Sequence, residues 1–496
     1  MGAERTSFRR LASSVGIYAA AGLAQQGVGF LLIPVYTRLI DPGEYGVLEI
    51  LNVFSSIAFA VLMLGMASAI NKCYHRDCAS AADQDTVLPT ALLIDLPLVL
   101  VGGLLLLAFP TAISRWLVGS EAARDLIPLV VVTGICSSIA AMALASLRAQ
   151  ERALAFSLLT FVQFIIGIVL NIVFVVVYRM GVPGILWGNL ISNAALFILA
   201  MPLASRGMRY RINPRMVGPL LRFGLYLIPV LLAGWTMDVS DRYLLRLYHD
   251  LDQVAIYGVG YKFGMIPQIA VVWPFQLAWP AFSFAISHDP GHKTTYARTL
   301  TYLTTALVFV VLGISLLTRA ALPAVVGAKY RAAYQVVPLV ATAYALQGIH
   351  YCVSPGVHLS GNTRYLAVLA GLSAALNLAL SFLLIPSFGM LGAAWATLLA
   401  FLFLAVTTAL LAQWTYPVSY EYGRLAKVLV AGAAVFFVVS RITPGLSVLS
   451  LVWYVVLPLL AFPLLAVLIG FFDRSELMAL RAFWHRGAPQ AVDVSP

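Results

Sequence analysis

The chain is a succession of long apolar runs separated by short polar stretches. A bilayer-spanning helix needs about 20 apolar residues. Runs of at least that order occur at 12–34, 44–70, 87–110, 126–147, 153–178, 184–204, 217–239, 253–286, 297–318, 333–358, 365–386, 390–413, 424–442 and 448–471, which predicts fourteen spans. Only helices or closed barrels satisfy the backbone in hydrocarbon, and runs this long are helical rather than barrel strands. Charged residues are 10% of the chain and hydrophobic ones 61%. A soluble domain carries roughly 25% charged residues. A soluble enzyme, a disordered tail and a nucleic-acid-binding domain are thereby excluded, and no partner nucleic acid is expected. Polar stretches near 71–87 and 205–216 are too short for a separate catalytic domain.

The net charge of +11 then reads as membrane topology. Fourteen spans put both termini on one side. Of the 31 Lys and Arg residues, 20 fall on that side, 10 on the other, and Lys262 lies inside a span. Excess cations mark the cytoplasmic side, so both termini are expected inside. The tail DRSELMALRAFWHR reads as a short amphipathic helix along the inner interface. The four cysteines form no disulfide framework.

The chain also repeats itself. LNIVFVVVYRMGVPGILWG and LNLALSFLLIPSFGMLGAAWA share an in-span Asn (Asn171, Asn377) followed by GxxGxxW. The glycines and tryptophans are Gly181, Gly184 and Trp187 in the first copy, and Gly389, Gly392 and Trp395 in the second. Tyr18 pairs with Tyr226, Arg38 with Arg246, and Tyr45-Gly46 with Tyr257-Gly258 at nearly the same offset. A six-span duplication keeps topology, so the halves are expected to be parallel lobes related by an axis along the membrane normal. The expected division is an N-lobe at 1–210, a C-lobe at 211–415, and two extra helices with the tail at 416–496. Parallel halves about a central site suit a transporter whose halves rock to alternate access.

Ionisable groups within spans are functional suspects, because each costs roughly 2.5–3.5 kcal/mol at the helix centre. Lys262, in GYKFG, is the clearest; its alternative is a lysine snorkelling to the interface. Arg242 and Arg246 close the seventh run one turn apart, and Asp238 stands four residues before Arg242, the favourable order for an ion pair. Arg38 holds the matching place in the first copy. Asp95, mid-run in LLIDLPLVL, and Asp238 are candidates for ion coupling to H+ or Na+. Glu49 is expected at the interface, His350 as a hydrogen-bonded core histidine, Asn171 and Asn377 as glue between helices, and Trp273-Pro274 and Trp279-Pro280 as bends. His288/His292 and Cys73/His75/Cys78 lack the geometry of a metal site, and there is no phosphate-binding glycine loop and no nucleophile triad. Neither metal, cofactor nor catalytic residue is expected.

GFLLIPVYTRLIDPGEYGVLEI, LRAQERALAFS and DRYLLRLYHDLDQVAIYGVGYKFG resemble the signatures of the polysaccharide transporter family, the O-antigen, capsule and exopolysaccharide flippases. That family belongs to the superfamily of multidrug/cation antiporters and the lipid II flippase. The resemblance implies a fold of two six-helix lobes plus two helices, in a bacterial cytoplasmic membrane. It implies translocation of a polyprenyl-pyrophosphate-linked oligosaccharide, with a polysaccharide polymerase and other assembly proteins as partners besides membrane lipids. A cleft for the pyrophosphate needs cations, and Lys262, Arg242, Arg246 and Arg38 are the candidates. The alternatives are a multidrug/cation antiporter on the same fold and a membrane polymerase or ligase. The latter would need a larger outer loop than this chain offers.

Overall fold

In the computed structural model, residue 30 and residues 32–78, 80–208, 211–441 and 448–471 are described. The greater part of the first expected span, Tyr18, Arg209 and the amphipathic tail lie outside them. The described residues are helical throughout, with no strand among them. In chain order the helices are α1 (Ile33–Leu39), α2 (Pro42–Leu62), α3 (Met66–Lys72), α4 (Ala81–Ala108), α5 (Pro110–Val118), α6 (Ile127–Ala149), α7 (Ala153–Asn171) and α8 (Gly181–Ala204). They continue as α9 (Pro214–Tyr248), α10 (Leu251–Gly264), α11 (Trp273–Ala285), α12 (His292–Val325), α13 (Val337–Leu359), α14 (Thr363–Thr415), α15 (Tyr422–Arg441) and α16 (Val448–Leu468).

Ten described helices are long and apolar enough to cross a membrane, or eleven when Ala328–Gln335 and Val337–Leu359, bent by 43°, count as one span. The expected fourteen is not reached, for three reasons. The first run is mostly outside the described residues, the last enters only as the shorter apolar segment Val456–Leu468, and α14 counts once although its 53 residues would extend about 80 Å, far beyond a hydrocarbon core of about 30 Å. Gly389, with φ 54 and ψ −131, breaks it where two spans were expected. In the first copy Gly181 likewise has a positive φ, 62, at the start of α8. Thus the repeat's leading glycine occupies a left-handed position in both copies, where a Cβ would be strained. The second glycine supplies space. A Cβ on Gly184 would lie 3.0 Å from the Phe174 and Met180 Cβ atoms, and one on Gly392 would lie 2.3 Å from the Leu384 carbonyl oxygen. The two tryptophans stay exposed on the outer surface, Trp187 at 42% and Trp395 at 47%.

Large side chains face outward and small ones inward. α4 exposes Leu93, Leu100, Val101, Leu104 and Leu105, whereas α6 buries Gly134, Ser138, Ala140, Ala143 and Ala145. Lipid is as apolar as leucine, so helix association relies on close packing of small residues rather than on hiding apolar surface. The helices from α2 to α8 pack on one another, as do those from α9 to α14; the two sets meet where α2 lies along α9 and α10 and where α9 packs on α3 and α4. α15 and α16 pack against α12. The chain is a multi-pass, all-helical membrane protein.

α2 approaches the second set closely enough to touch its backbone. A Cβ on Gly46 would lie 2.1 Å from the Leu251 carbonyl oxygen, and one on Gly224 would lie 2.2 Å from that of Leu64. Gly46→Ala is therefore expected to lower the thermal midpoint of the detergent-solubilised protein. Overpacking of this kind costs about 1–3 kcal/mol. Gly218→Ala, with open space around it, should leave the midpoint unchanged; equal midpoints for the two variants would contradict this packing.

Candidate functional site: a charged seam between the two helix sets

Three helices bring the charges together. Tyr45 and Glu49 lie one turn apart on α2. Asp238, Asp241 and Arg242 lie near the end of α9, and Tyr257, Tyr261 and Lys262 on α10. Gly258 makes room for the meeting, since a Cβ there would lie 2.9 Å from the Glu49 carboxyl carbon. Glu49 is the hub. Its Oε1 accepts from Lys262 Nζ at 2.6 Å, and its Oε2 stands 3.5 Å from Arg242 Nε. Lys262 also donates to the Tyr45 hydroxyl at 2.7 Å. The Glu49 side chain is 5% exposed, that of Arg242 8%, and that of Lys262 30%.

A second layer holds Arg242. Its Nη1 stands 3.5 Å from Asp241 Oδ1, and its guanidinium lies 4.3 Å from the centre of the Tyr261 ring, a cation–π contact. The Tyr257 hydroxyl donates to Asp241 Oδ2, and the Tyr261 and Tyr344 hydroxyls share a hydrogen bond of 2.9 Å. The expected Asp238–Arg242 ion pair is absent. Arg242 Nη1 donates to the backbone carbonyl of Asp238 at 2.8 Å, while the Asp238 carboxylate accepts from Tyr344 at 3.4 Å. Helical spacing allowed the pair, but Glu49 and Asp241 present carboxylates to the guanidinium, and the arginine turned to them.

Arg38 and Arg246 stand apart from this cluster. Arg38 is exposed and donates to the Ala324 carbonyl, at 2.9 Å, near the end of α12. Arg246 donates to the Val118 carbonyl at the end of α5. Helix C-termini leave carbonyls unpaired and carry partial negative charge, which suits both cations. The two contacts are reciprocal: an arginine of each copy reaches a helix end of the other. Gly327 lies against the Thr37 carbonyl and Gly119 against Arg246, so the glycine after each helix end permits the approach. In this structure both arginines clasp the two sets together, and neither stands with Lys262.

Asp95 is fully buried and neither of its oxygens has a hydrogen-bond partner; the Ser138 hydroxyl on neighbouring α6 is buried and unpartnered as well. Glu49, expected at the interface, is instead among the most buried charges. Asn171 behaves as expected of glue, accepting from Tyr36 at 2.8 Å and donating to the Gly167 carbonyl at 2.7 Å; Asn377 is buried without a partner. His350 bonds Thr408 through Nδ1 at 2.9 Å. The helix interruption expected at the Trp–Pro pairs begins earlier, between α10 and α11, with Pro267 ahead of a widened turn at Gln268–Val272; Pro274 opens α11. Among the described residues no group of three His, Cys, Asp or Glu is arranged for a metal.

The sequence profile of the family described as "Polysaccharide biosynthesis protein" matches residues 11–285, more than half of the chain. The protein belongs to that family. Solved structures share its fold. Lipid II flippase MurJ in an inward closed conformation superposes with a TM-score of 0.73 over 91% of this chain and 98% of its own, at 13% identity. A multidrug resistance MATE family transporter of the MOP superfamily, in an inward-facing conformation, gives 0.64 over 78% and 94%, at 14% identity. MATE in the straight conformation gives 0.58 over 82% and 95%, at 17% identity. No curated protein sequence matches significantly.

Removing one member of a buried ion pair costs about 3–5 kcal/mol, because the other charge is left uncompensated. Glu49 serves two cations, and Lys262 keeps partial access to water. Glu49→Gln should therefore lower the thermal midpoint more than Lys262→Met. The double variant should lose less than the sum of the singles, by about 1 kcal/mol or more. Strict additivity in that cycle would show the pair to be uncoupled.

Proposed function

We propose that this protein is a flippase that moves a polyprenyl-pyrophosphate-linked oligosaccharide across the bacterial cytoplasmic membrane by alternating access, for surface polysaccharide biosynthesis. Family membership and the shared fold support the transporter class. The observation that carries the substrate reading is the Glu49–Lys262–Arg242 cluster, two cations of the second helix set that share one carboxylate of the first, with Asp241 facing Arg242 from its own helix. A pyrophosphate is a stronger anionic partner for such cations than one carboxylate. When it takes them, Glu49 is left buried without a partner, and the seam that joins the sets at this end loses its main attraction. Substrate binding would then loosen the contact that must open. The sugar head, which would lose many hydrogen bonds in hydrocarbon, travels between the sets while the lipid tail stays in the bilayer.

The test is leaflet transfer of a fluorescent polyprenyl-pyrophosphate oligosaccharide in proteoliposomes. Lys262→Ala should reduce the initial rate at least tenfold, since loss of a charged contact is worth about 1.5–3 kcal/mol. Lys262→Arg should keep part of the rate, and Lys262→Glu should be at least as damaging as Ala. The double variant Lys262→Ala/Glu49→Gln should lose less thermal stability than the two single variants together, and it should not regain transport. A wild-type rate equal to that of protein-free vesicles would refute the proposal. A rate restored in the double variant would make Lys262 a structural partner of Glu49 only.

The proposed topology puts both termini in the cytoplasm, with the charged seam at the outer end. Reporter fusions near 78 and 290 should read inside, and those near 120 and 248 outside; the reverse would invert the direction of transport. We also propose that H+ or Na+ drives the cycle through Asp95, whose unpaired carboxyl in an apolar interior needs a proton or cation. Asp95→Asn keeps shape and removes the charge. It should fold normally and transport at a rate no longer sensitive to an imposed pH or Na+ gradient; unchanged sensitivity would exclude Asp95 from coupling.

A further inference from the structure

Beside the charged seam lies a cavity of about 480 Å³, enclosed by α9, α13 and both arms of α14. Most of its wall is apolar, but Asp238, Gln347, His350 and Tyr351 line it, with Phe401 as a further aromatic wall. Ligand sites combine a largely apolar lining with a few polar groups that fix orientation, in volumes of about 300–1,000 Å³. The polar groups here are incompletely satisfied. Gln347 Oε1 is buried with no hydrogen-bond partner. Asp238 accepts only a long bond, 3.4 Å, from Tyr344. His350 spends Nδ1 on Thr408. Buried acceptors left unpaired are costly, so the wall is matched to a ligand that brings hydrogen-bond donors.

The position narrows the ligand. Asp238 and Arg242 are four residues apart on α9, about 6 Å along the axis. The Arg242 guanidinium donates to the Asp238 backbone carbonyl and reaches Glu49 beyond it. The end of the cavity at Asp238 therefore lies one turn from Arg242, which stands just beyond the lining residues. In a lipid-linked saccharide the first sugar is bonded directly to the pyrophosphate, so its subsite must adjoin the phosphate-binding cations. A bare cation would leave most of 480 Å³ unfilled and would not use the aromatic walls.

We propose that this cavity binds the pyrophosphate-proximal sugar of the lipid-linked substrate through Asp238, Gln347, His350 and Tyr351. This rests on the flippase reading and adds to it the place where the glycan is recognised. The experiment measures binding to the purified full-length protein in nanodiscs. The probes are undecaprenyl pyrophosphate and its derivatives carrying one hexose or one N-acetylhexosamine. At least one glycosylated probe should bind wild type about tenfold or more tighter than the bare lipid, the gain from one or two satisfied buried acceptors. Gln347→Leu should erase that gain while binding the bare lipid as wild type does. Gln347→Glu, which keeps an acceptor oxygen, should retain part of it.

Several results would overturn the inference. Equal wild-type affinity for bare and glycosylated lipids places the sugar elsewhere and leaves the flippase reading standing. A Gln347→Leu variant that weakens both equally, with a lowered thermal midpoint, has only a structural role. A thermal shift with Na+ alone that Gln347→Leu abolishes makes the cavity a cation site. No binding of any of these lipids by wild type takes down the flippase reading along with it.

Discussion

A single buried carboxylate, Glu49, holds the charged end of this molecule together. Two cations have been carried into the helix bundle on α9 and α10; Arg242 also faces Asp241 on its own helix, whereas the carboxylate that pairs Lys262 comes from across the seam. The geometry around it follows from that need. Gly46 and Gly258 clear the space for backbone contact, Tyr45 completes the lysine's hydrogen bonds, and Asp241 with Tyr261 holds the arginine in place. The ion pairs cross between the two helix sets, so the state of one glutamate reports whether the sets are together at this end.

The same end carries a second device, built from the duplication. Arg38 reaches the end of α12, and Arg246 reaches the end of α5. Each repeat thus closes on a helix terminus of the other. Contacts of this sort use backbone carbonyls that every helix end must satisfy somehow. They tolerate sequence change in the helices they cap, because the acceptor is a backbone carbonyl. The charged cluster differs. It is asymmetric, because the position matching Glu49 in the second copy is occupied by Tyr261, and the carboxylate is present once. Symmetry supplies the clasp, while the departure from symmetry supplies a buried carboxylate that pairs two cations of the other set.

Membrane solvation explains why the rest of the packing looks inverted relative to a soluble protein. Leucines of α4 face outward and alanines of α6 inward. The polar groups left inside are correspondingly few. Several lack partners, among them Asp95, Ser138, Asn377 and the Gln347 carbonyl oxygen, and they stand out against that background. In water a solvent molecule would answer each of them. Inside a bilayer an unpaired donor or acceptor is retained at a cost of several kcal/mol.

The sequence by itself determined the class, the helical character, the membrane environment and the internal repeat. Those depend on run length, on composition and on the order of Gly and Trp along one chain. It also marked Lys262 and Arg242, since an ionisable group within an apolar run is costly wherever it points. The tertiary structure alone decided the partners. Helical spacing offered Asp238 to Arg242, but the guanidinium went to Asp241 and to Glu49, which lies 193 positions away. Glu49 looked interfacial because only its distance from the run's edge was legible. Its burial comes from the crossing of α2 over α10, which no single run encodes. One signal did exist: Tyr45-Gly46 and Tyr257-Gly258 are matched copies, and small residues at matched places mark where helices can approach. The cavity beside Asp238 was not legible at all. Its walls come from α9 and, about a hundred residues later, from α13 and α14, and an empty space between packed helices leaves no trace in the order of the residues that border it.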